Sequence, residues 1–208
     1  VWLSELLTRW VSPGCPSLTV SREEVAAMVN VGTSEGVIED AENKTIQNFL
    51  KLRNVHARDI MTPYVVVASA HAASTMKEFY DNQSLASFSR IPVYDKRREF
   101  ITGYVRRANV LEMLTRDKFS MPLSAIVRPI LSFMEDAKAS DIWQKMLKEK
   151  EHISVITDEY GCMRGIVTME DVIETMLGVE IVDECDATDD LQAMAREKFA
   201  PDAAQYSA

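Results

Sequence analysis

The run Gly165-Ile166-Val167-Thr168-Met169-Glu170-Asp171 places a hydroxyl and a carboxylate where an apolar strand gives way to a helix. A threonine at that point is a helix N-cap, and its hydroxyl and the free N–H groups of the first turn can receive phosphate oxygens. Asp171, three residues on, shares the same face of the first turn and is placed to accept hydrogen bonds from a ribose diol. The same T-x-x-D spacing also makes an ordinary capping box, so by itself it supports either reading. Competing chemistry has little footing. There is no P-loop, no GxGxxG and no GxSxG. His56, His71 and His152 are scattered without an HExxH pair, so no metal ligand set is expected. Cys15, Cys162 and Cys185 form no CxxC and read as reduced thiols, not a disulfide frame. A hydrolase using Glu170 or Asp171 as base would need a metal cage or a positioned nucleophile, and neither is visible. The expectation is a chain without catalytic residues.

The elements that would position Thr168 and Asp171 occur twice. Thr62-Pro63 begins an extended Val-Val-Val run, and Arg128-Pro129, 66 residues later, begins Ile130-Leu131. A helical pattern follows each, over 75–81 and 139–148. Then come the strands Ile91-Pro92-Val93-Tyr94-Asp95 and Ile153-Ser154-Val155-Ile156-Thr157-Asp158. After a turn, the segments beginning at Gly103 and Gly165, 62 residues apart, lead into helices at 110–114 and 172–177. Each unit is strand, helix, strand, strand, helix. One copy covers a single face of its sheet, whereas two copies packed sheet to sheet bury both, which predicts one α/β (α+β) module built from two motifs. In the first copy the positions of Thr168 and Asp171 are held by Arg106 and Asn109. The two clefts should therefore be unequal, with one good nucleoside site.

Upstream, Ser21-Arg-Glu-Glu24 is a capping box, opening a helix with Val25, Met28 and Val29 that Gly32 would stop. A second helix is expected from about Ile38 to Leu52, making a helical hairpin. Glu35, Glu39, Asp40 and Glu42 at its turn lack the EF-hand order and read as a solvated face. Residues 1–11 form an amphipathic helical pattern, either packed on its own domain or lying beside a membrane segment, broken by Ser-Pro-Gly-Cys-Pro at 12–16. The expected organisation is 1–53 helical linker, 54–116 first motif, 117–180 second motif and 181–208 acidic tail with a short helix at 191–199.

The 208 residues are 47% hydrophobic and 26% charged, the balance of a soluble globular chain. With 23 basic against 32 acidic residues, net −9, a nucleic-acid partner is not expected. No apolar run approaches the roughly 18 to 20 residues that span a bilayer. The start at Val1, with no basic region before an apolar stretch, reads as a piece of a longer protein. Against the negative background, residues 90–107 hold six bases (Arg90, Lys96, Arg97, Arg98, Arg106, Arg107) and two acids. The stretch reads either as a landing zone for a polyanion, with Arg90 the first candidate, or as a basic hairpin exposed to solvent.

Taken together, Asp59-Ile-Met-Thr-Pro63, Ser89-Arg-Ile-Pro-Val-Tyr94 and Gly165-Ile-Val-Thr-Met-Glu-Asp171 resemble a CBS-pair (Bateman) module. More narrowly they resemble the cytosolic part of the CNNM/CorC magnesium-transporter family, whose acidic helical linker is similar to Ser21 through Leu52. The resemblance runs from about Val20 to Asp186. It implies tandem CBS motifs and a regulatory role. It also implies ATP in one cleft, with adenine near Thr62, Phe88, Ile91 and Pro92, ribose at Asp171, and phosphates near Thr168, Ser89 and Arg90. Mg²⁺ would then be held through the phosphates. The partners it implies are a second copy of the chain, in a disc-like dimer, and a transmembrane domain of the same full-length protein. The module would lie on the cytoplasmic face of the inner membrane. AMP or ADP sensing, and a ligand-free dimerisation scaffold, are the alternatives. The family's membrane domain and the further C-terminal domain of many members have no counterpart in these residues.

Overall fold

The structure, a computed structural model, describes residues 20–179. The helix expected over 1–11, Cys15, Cys185 and the tail helix expected over 191–199 lie outside the described residues. The chain divides into two compact units at Leu50/Lys51.

The first unit is a helical hairpin of α1 (Arg22–Ser34) and α2 (Asp40–Lys51). Ser21 and Glu24 form both halves of the expected capping box, the Glu24 N–H donating to Ser21 Oγ at 3.1 Å. Neither helix buries a residue; polar contacts tie them, including Gln47 Nε2 to the Ala26 carbonyl at 2.9 Å and Asn43 Nδ2 to Asn30 Oδ1 at 3.0 Å. The expected stop at Gly32 is corrected. The helix runs through Gly32 to Ser34, and the residue with positive φ is Gly36, at 75°. Gly32 has a packing role instead, since a β-carbon there would lie 3.0 Å from Ile38 Cδ1. The acidic residues of the turn are exposed as expected.

In the second unit, α3 (Ala57–Ile60) leads into β1 (Thr62–Pro63) and β2 (Ala70–His71). Then come α4 (Met76–Asp81), β3 (Arg90–Tyr94), β4 (Ile101–Arg106) and α5 (Arg107–Thr115). The second copy supplies β5 (Leu131–Met134), α6 (Ala139–Glu149), β6 (Ile153–Thr157), β7 (Met163–Thr168) and α7 (Met169–Leu177). Three strands form one sheet in the order β2-β3-β4; four form another in the order β1-β7-β6-β5.

Alternation along the strands gives each sheet an outer face under its own helices and an inner face toward the other sheet. Ile91, Val93 and Val105 point outward onto Met76, Phe79 and Val110. In the second copy Ile156 and Val167 point outward onto Ile142, Met146 and Val172. Burying side chains of this kind contributes about 1.5–3 kcal/mol each. The inner faces meet through Val67, Val155 and Met163, with Ile101 and Ile166 packed against them.

The Val-Val-Val run is corrected from a strand to a turn. β1 ends at Pro63; the Val66 N–H donates to the Pro63 carbonyl at 3.1 Å and the Val67 N–H to the Tyr64 carbonyl at 3.2 Å. The reason lies in the topology. β1 belongs to the second copy's sheet, pairing Thr62 with Ile166 and Pro63 with Gly165, while β2 belongs to the first copy's sheet. The chain must turn to change sheets. The second copy returns the exchange: Arg128 bridges to Tyr104 of β4, each N–H donating to the other's carbonyl at 2.9–3.0 Å.

This reciprocal exchange explains the repeated glycines. A β-carbon on Gly103 would collide with the Arg128 carbonyl, and one on Gly165 with the Thr62 carbonyl. Those carbonyls are held in the exchanged segments and cannot swing aside. Gly103→Ala and Gly165→Ala should each cost about 1–3 kcal/mol, as overpacking does. The check is a urea melt of each variant, where the midpoint should fall; an unchanged midpoint would contradict the close approach.

Candidate functional site

At the β7–α7 junction Thr168 is the N-cap, with extended backbone (φ −103°, ψ 170°), and the capping box with Asp171 is complete. Asp171 Oδ2 accepts from the Thr168 N–H at 2.6 Å and from the Thr168 hydroxyl at 2.8 Å; the Asp171 N–H donates to Thr168 Oγ1 at 3.3 Å. The arrangement engages one carboxylate oxygen and leaves Oδ1 out of it. Asp171 lines a cleft of about 300 Å³ with Asp59, Ile60, Glu174, Thr175, Gly178 and Val179. Burial is the main reason its carboxyl is pushed up to about 7; the Thr168 hydrogen bonds oppose this, and the nearby Glu174 and Glu170 charges add to it.

The sequence-selected residues fall into two groups, one on each sheet. Thr62 and Thr168 share the inner face of the second copy's sheet, on the same side as Ile166, its register partner on β1 and its neighbour two positions along β7. On the first copy's sheet, Arg90 and Pro92 belong to the inner face, because Ile91 between them points outward. Ile91 is fully buried, its side chain in the first copy's core, so it has only backbone to offer a cleft. Phe88 packs partly against that same core. Ser89 is exposed, and its carbonyl accepts from the Arg107 N–H at 3.0 Å. Asp59 and Ile60 also line the cleft beside Asp171, and their signal in the sequence is the Asp59-Ile-Met-Thr-Pro63 motif that carries Thr62.

The basic stretch is sorted by its neighbours. Arg97 pairs with Glu99 at 3.5 Å. Arg98 donates to Ser69 Oγ and to the Val67 carbonyl, and stacks over Tyr64. Arg107 donates to the Leu85 carbonyl at 3.1 Å. Arg90 and Arg106 have no hydrogen-bonded or ionic side-chain partner among the described residues, and the Nε of each is buried and unpartnered.

The raised pKa of Asp171 fixes a sign. An acid that holds its proton more tightly when folded contributes stability below the unfolded pKa of 3.8, and loses it as pH rises toward about 7. Asp171→Asn should therefore gain on the unmodified chain between pH 4 and pH 7, with the difference flat above that. Urea midpoints of the two proteins across pH 4–8 test it, and parallel curves would contradict the buried acid.

The model of the CBS domain family matches residues 57–116 and 123–178. The chain is 31% identical over 95% of its length to the UPF0053 protein sll1254 of Synechocystis, of which it spans 57%. To the magnesium and cobalt efflux protein CorC of Pasteurella multocida it is 24% identical over 86% of its length, spanning 60% of that protein. It thus spans little more than half of these relatives. Among solved structures, the CBS domain of a bacterial CNNM/CorC family Mg²⁺ transporter superposes with a TM-score of 0.73 at 28% identity, over 79% of this chain and 99% of the other. The ATP complex of such a CBS domain superposes with a TM-score of 0.62 at 26% identity, over 66% and 98%. Among the described residues no helix is long and apolar enough to cross a membrane. The family model takes in both copies of the repeat, and the chain belongs to the CBS domain family, as a CBS module of the CNNM/CorC type.

Proposed function

We propose that this chain is a non-catalytic regulatory module that binds an adenine nucleotide, Mg-ATP, in the cleft of the second motif. The observation that carries the reading is the Thr168–Asp171 pair, a capped helix start with a carboxylate oxygen to spare, with Thr168 on the inner face of its sheet and Arg90 on the inner face of the other. Asp171 Oδ1 would accept from the ribose diol. Arg90, with no acidic partner among the described residues, would meet phosphate oxygens, with Thr168 and Ser89 beside it. Thr62, Phe88 and Pro92 would border the base, and Ile91 would contribute through its backbone. The ATP-bound CBS domain from a CNNM/CorC transporter, alike in fold, supports this.

Magnesium would be held through the phosphates, offsetting their mutual repulsion as a hard, oxygen-seeking dication does. In this reading two copies associate as a dimer that closes on Mg-ATP. The helical hairpin passes the change to a membrane domain of the full-length protein, which places the module on the cytoplasmic face of the membrane. The ligand can drive closure only by as much as it prefers the closed state to the open one.

Thermal melts with ATP, with and without Mg²⁺, test the reading directly. At one hundred times its dissociation constant a ligand adds about 2.7 kcal/mol to the folded state, so the midpoint should rise, need Mg²⁺, and stay flat in Asp171→Ala. An equal rise with AMP would make the module an AMP/ADP sensor; no rise with any adenine nucleotide leaves a ligand-free scaffold.

Proton release gives an independent check. The ribose hydroxyls favour the ionised carboxylate, and the carboxyl of the free protein sits at about 7. ATP binding near pH 6.5 should then release a fraction of a proton, seen by calorimetry in two buffers of different ionisation enthalpy. Asp171→Asn should abolish the difference between the buffers.

A further inference from the structure

At the positions of Thr168 and Asp171 the first copy has Arg106 and Asn109, and the inner face of its sheet carries arginine. Arg90 of β3 and Arg106 of β4 are direct cross-strand partners. Arg128 joins the same sheet through its two-way bridge to Tyr104, two residues before Arg106. Residues opposite one another, and residues two apart along a strand, share a face. All three side chains therefore leave from the inner face, as the position of the Arg128 guanidinium over the Tyr104 ring, at 6.0 Å, confirms for the third.

Each of the three has a buried Nε with no hydrogen-bond partner. A solvated arginine keeps that N–H in water, and an unmet buried donor costs free energy. One carboxylate answers the group: Glu151 lies 3.6 Å from Arg128 and accepts from the Tyr104 hydroxyl at 2.5 Å. Arg90 and Arg106 face each other with no acid paired to either among the described residues, although like charges directly opposite on paired strands repel. Arginine cannot escape by losing its proton. Arg106 is also the N-cap of the nine-residue helix α5 and gives its first turn no side-chain acceptor, where Thr168 caps α7. Around Arg90 and Arg106, donors, charge and a helix start thus share one face of the sheet with no acceptor paired to them among the described residues.

We propose that Arg90, Arg106 and Arg128 form a phosphate-oxyanion site in the first cleft, for a multiply charged phosphate group. Planar guanidinium forks suit such oxygens, which can bridge two arginines and cancel their repulsion. The phosphate can be free, as pyrophosphate, or the tail of a nucleotide whose base sits elsewhere. Arg90 is the residue this site would share with the nucleotide reading above, whereas Arg106 and Arg128 belong to this site alone, so it stands whether or not Asp171 binds a ribose.

The experiment titrates pyrophosphate, ATP and AMP by calorimetry into the unmodified chain, Arg106→Gln, Arg106→Lys and Asp171→Asn. Pyrophosphate binding should weaken at least tenfold in Arg106→Gln, stay within twofold in Asp171→Asn, and recover in part in Arg106→Lys. If pyrophosphate is silent but Arg106→Gln weakens ATP tenfold and leaves AMP unchanged, the site takes the nucleotide's tail. Unchanged pyrophosphate and ATP binding in Arg106→Gln would overturn the site, even with adenosine contacts intact. Loss of ATP and AMP binding in Asp171→Asn alone speaks only to the ribose contact. Without ligand, Arg106→Gln should melt at or above the unmodified chain, since one of two repelling charges is gone. A markedly lower midpoint would show that Arg106 supports the fold instead, and would equally overturn the proposal.

Discussion

The structure depends on an exchange of short strands between its two copies. Thr62-Pro63 is laid on β7, and Arg128 is bonded both ways to Tyr104 of β4. An edge of each sheet is thereby covered by chain that precedes the other copy's strand, so backbone groups that would face the interior unpaired are met. The approach is close enough that only glycine fits opposite the incoming carbonyls, at Gly103 and at Gly165. Neither copy completes its sheet alone, which makes the pair, and not the single motif, the unit that folds.

The same exchange brings chemistry to both clefts at once, and the two copies use it differently. The segment that enters beside Thr168 and Asp171 carries Thr62; the one that enters beside Arg106 and Asn109 carries Arg128. Loss of water then falls on the whole Asp171 carboxyl on one side and on only the Nε of each half-buried arginine on the other. Asp171 responds by holding its proton, with its pKa pushed up to about 7. Arginine has no such route. Arg128 has Glu151 beside it, while Arg90 and Arg106 keep their charge with no acid paired to them among the described residues. The two halves of the repeat thus hold a proton-adjustable acceptor on one side and permanently charged donors on the other.

Electrostatics in the basic stretch are decided by neighbours, not by count. Six bases lie between positions 90 and 107. Arg97, Arg98 and Arg107 already have partners in Glu99, Val67 and Ser69, and Leu85. Lys96 is exposed between β3 and β4, and the two left on the sheet to meet a ligand anion are those whose strand positions turn them inward. Arg90 and Arg106 do so because Ile91 and Val105, the next pair in the ladder, point outward into the first copy's core.

Much was written in the sequence. The repeat period, the helices behind Ser21, Thr75 and Thr168, and the alternation in 91–95 and 153–158 are local or periodic signals, and physics local to a few residues decides them. The T-x-x-D cap and the inequality of Thr168 and Asp171 with Arg106 and Asn109 were legible for the same reason. What the sequence could not disclose depends on residues distant along the chain. Val65-Val66-Val67 has every strand propensity yet turns, because the chain must leave one sheet for the other. Gly32 looks like a helix stop but is a contact for Ile38. Ile91 looks like a cleft wall but fills a core. The pairing of Arg128 with Tyr104 joins two halves of the repeat, and only tertiary structure could decide it. The sequence by itself determined which groups the protein owns and in what local geometry. The packing of one copy against the other determined which of them face each other, which lose water, and so which are left seeking a partner.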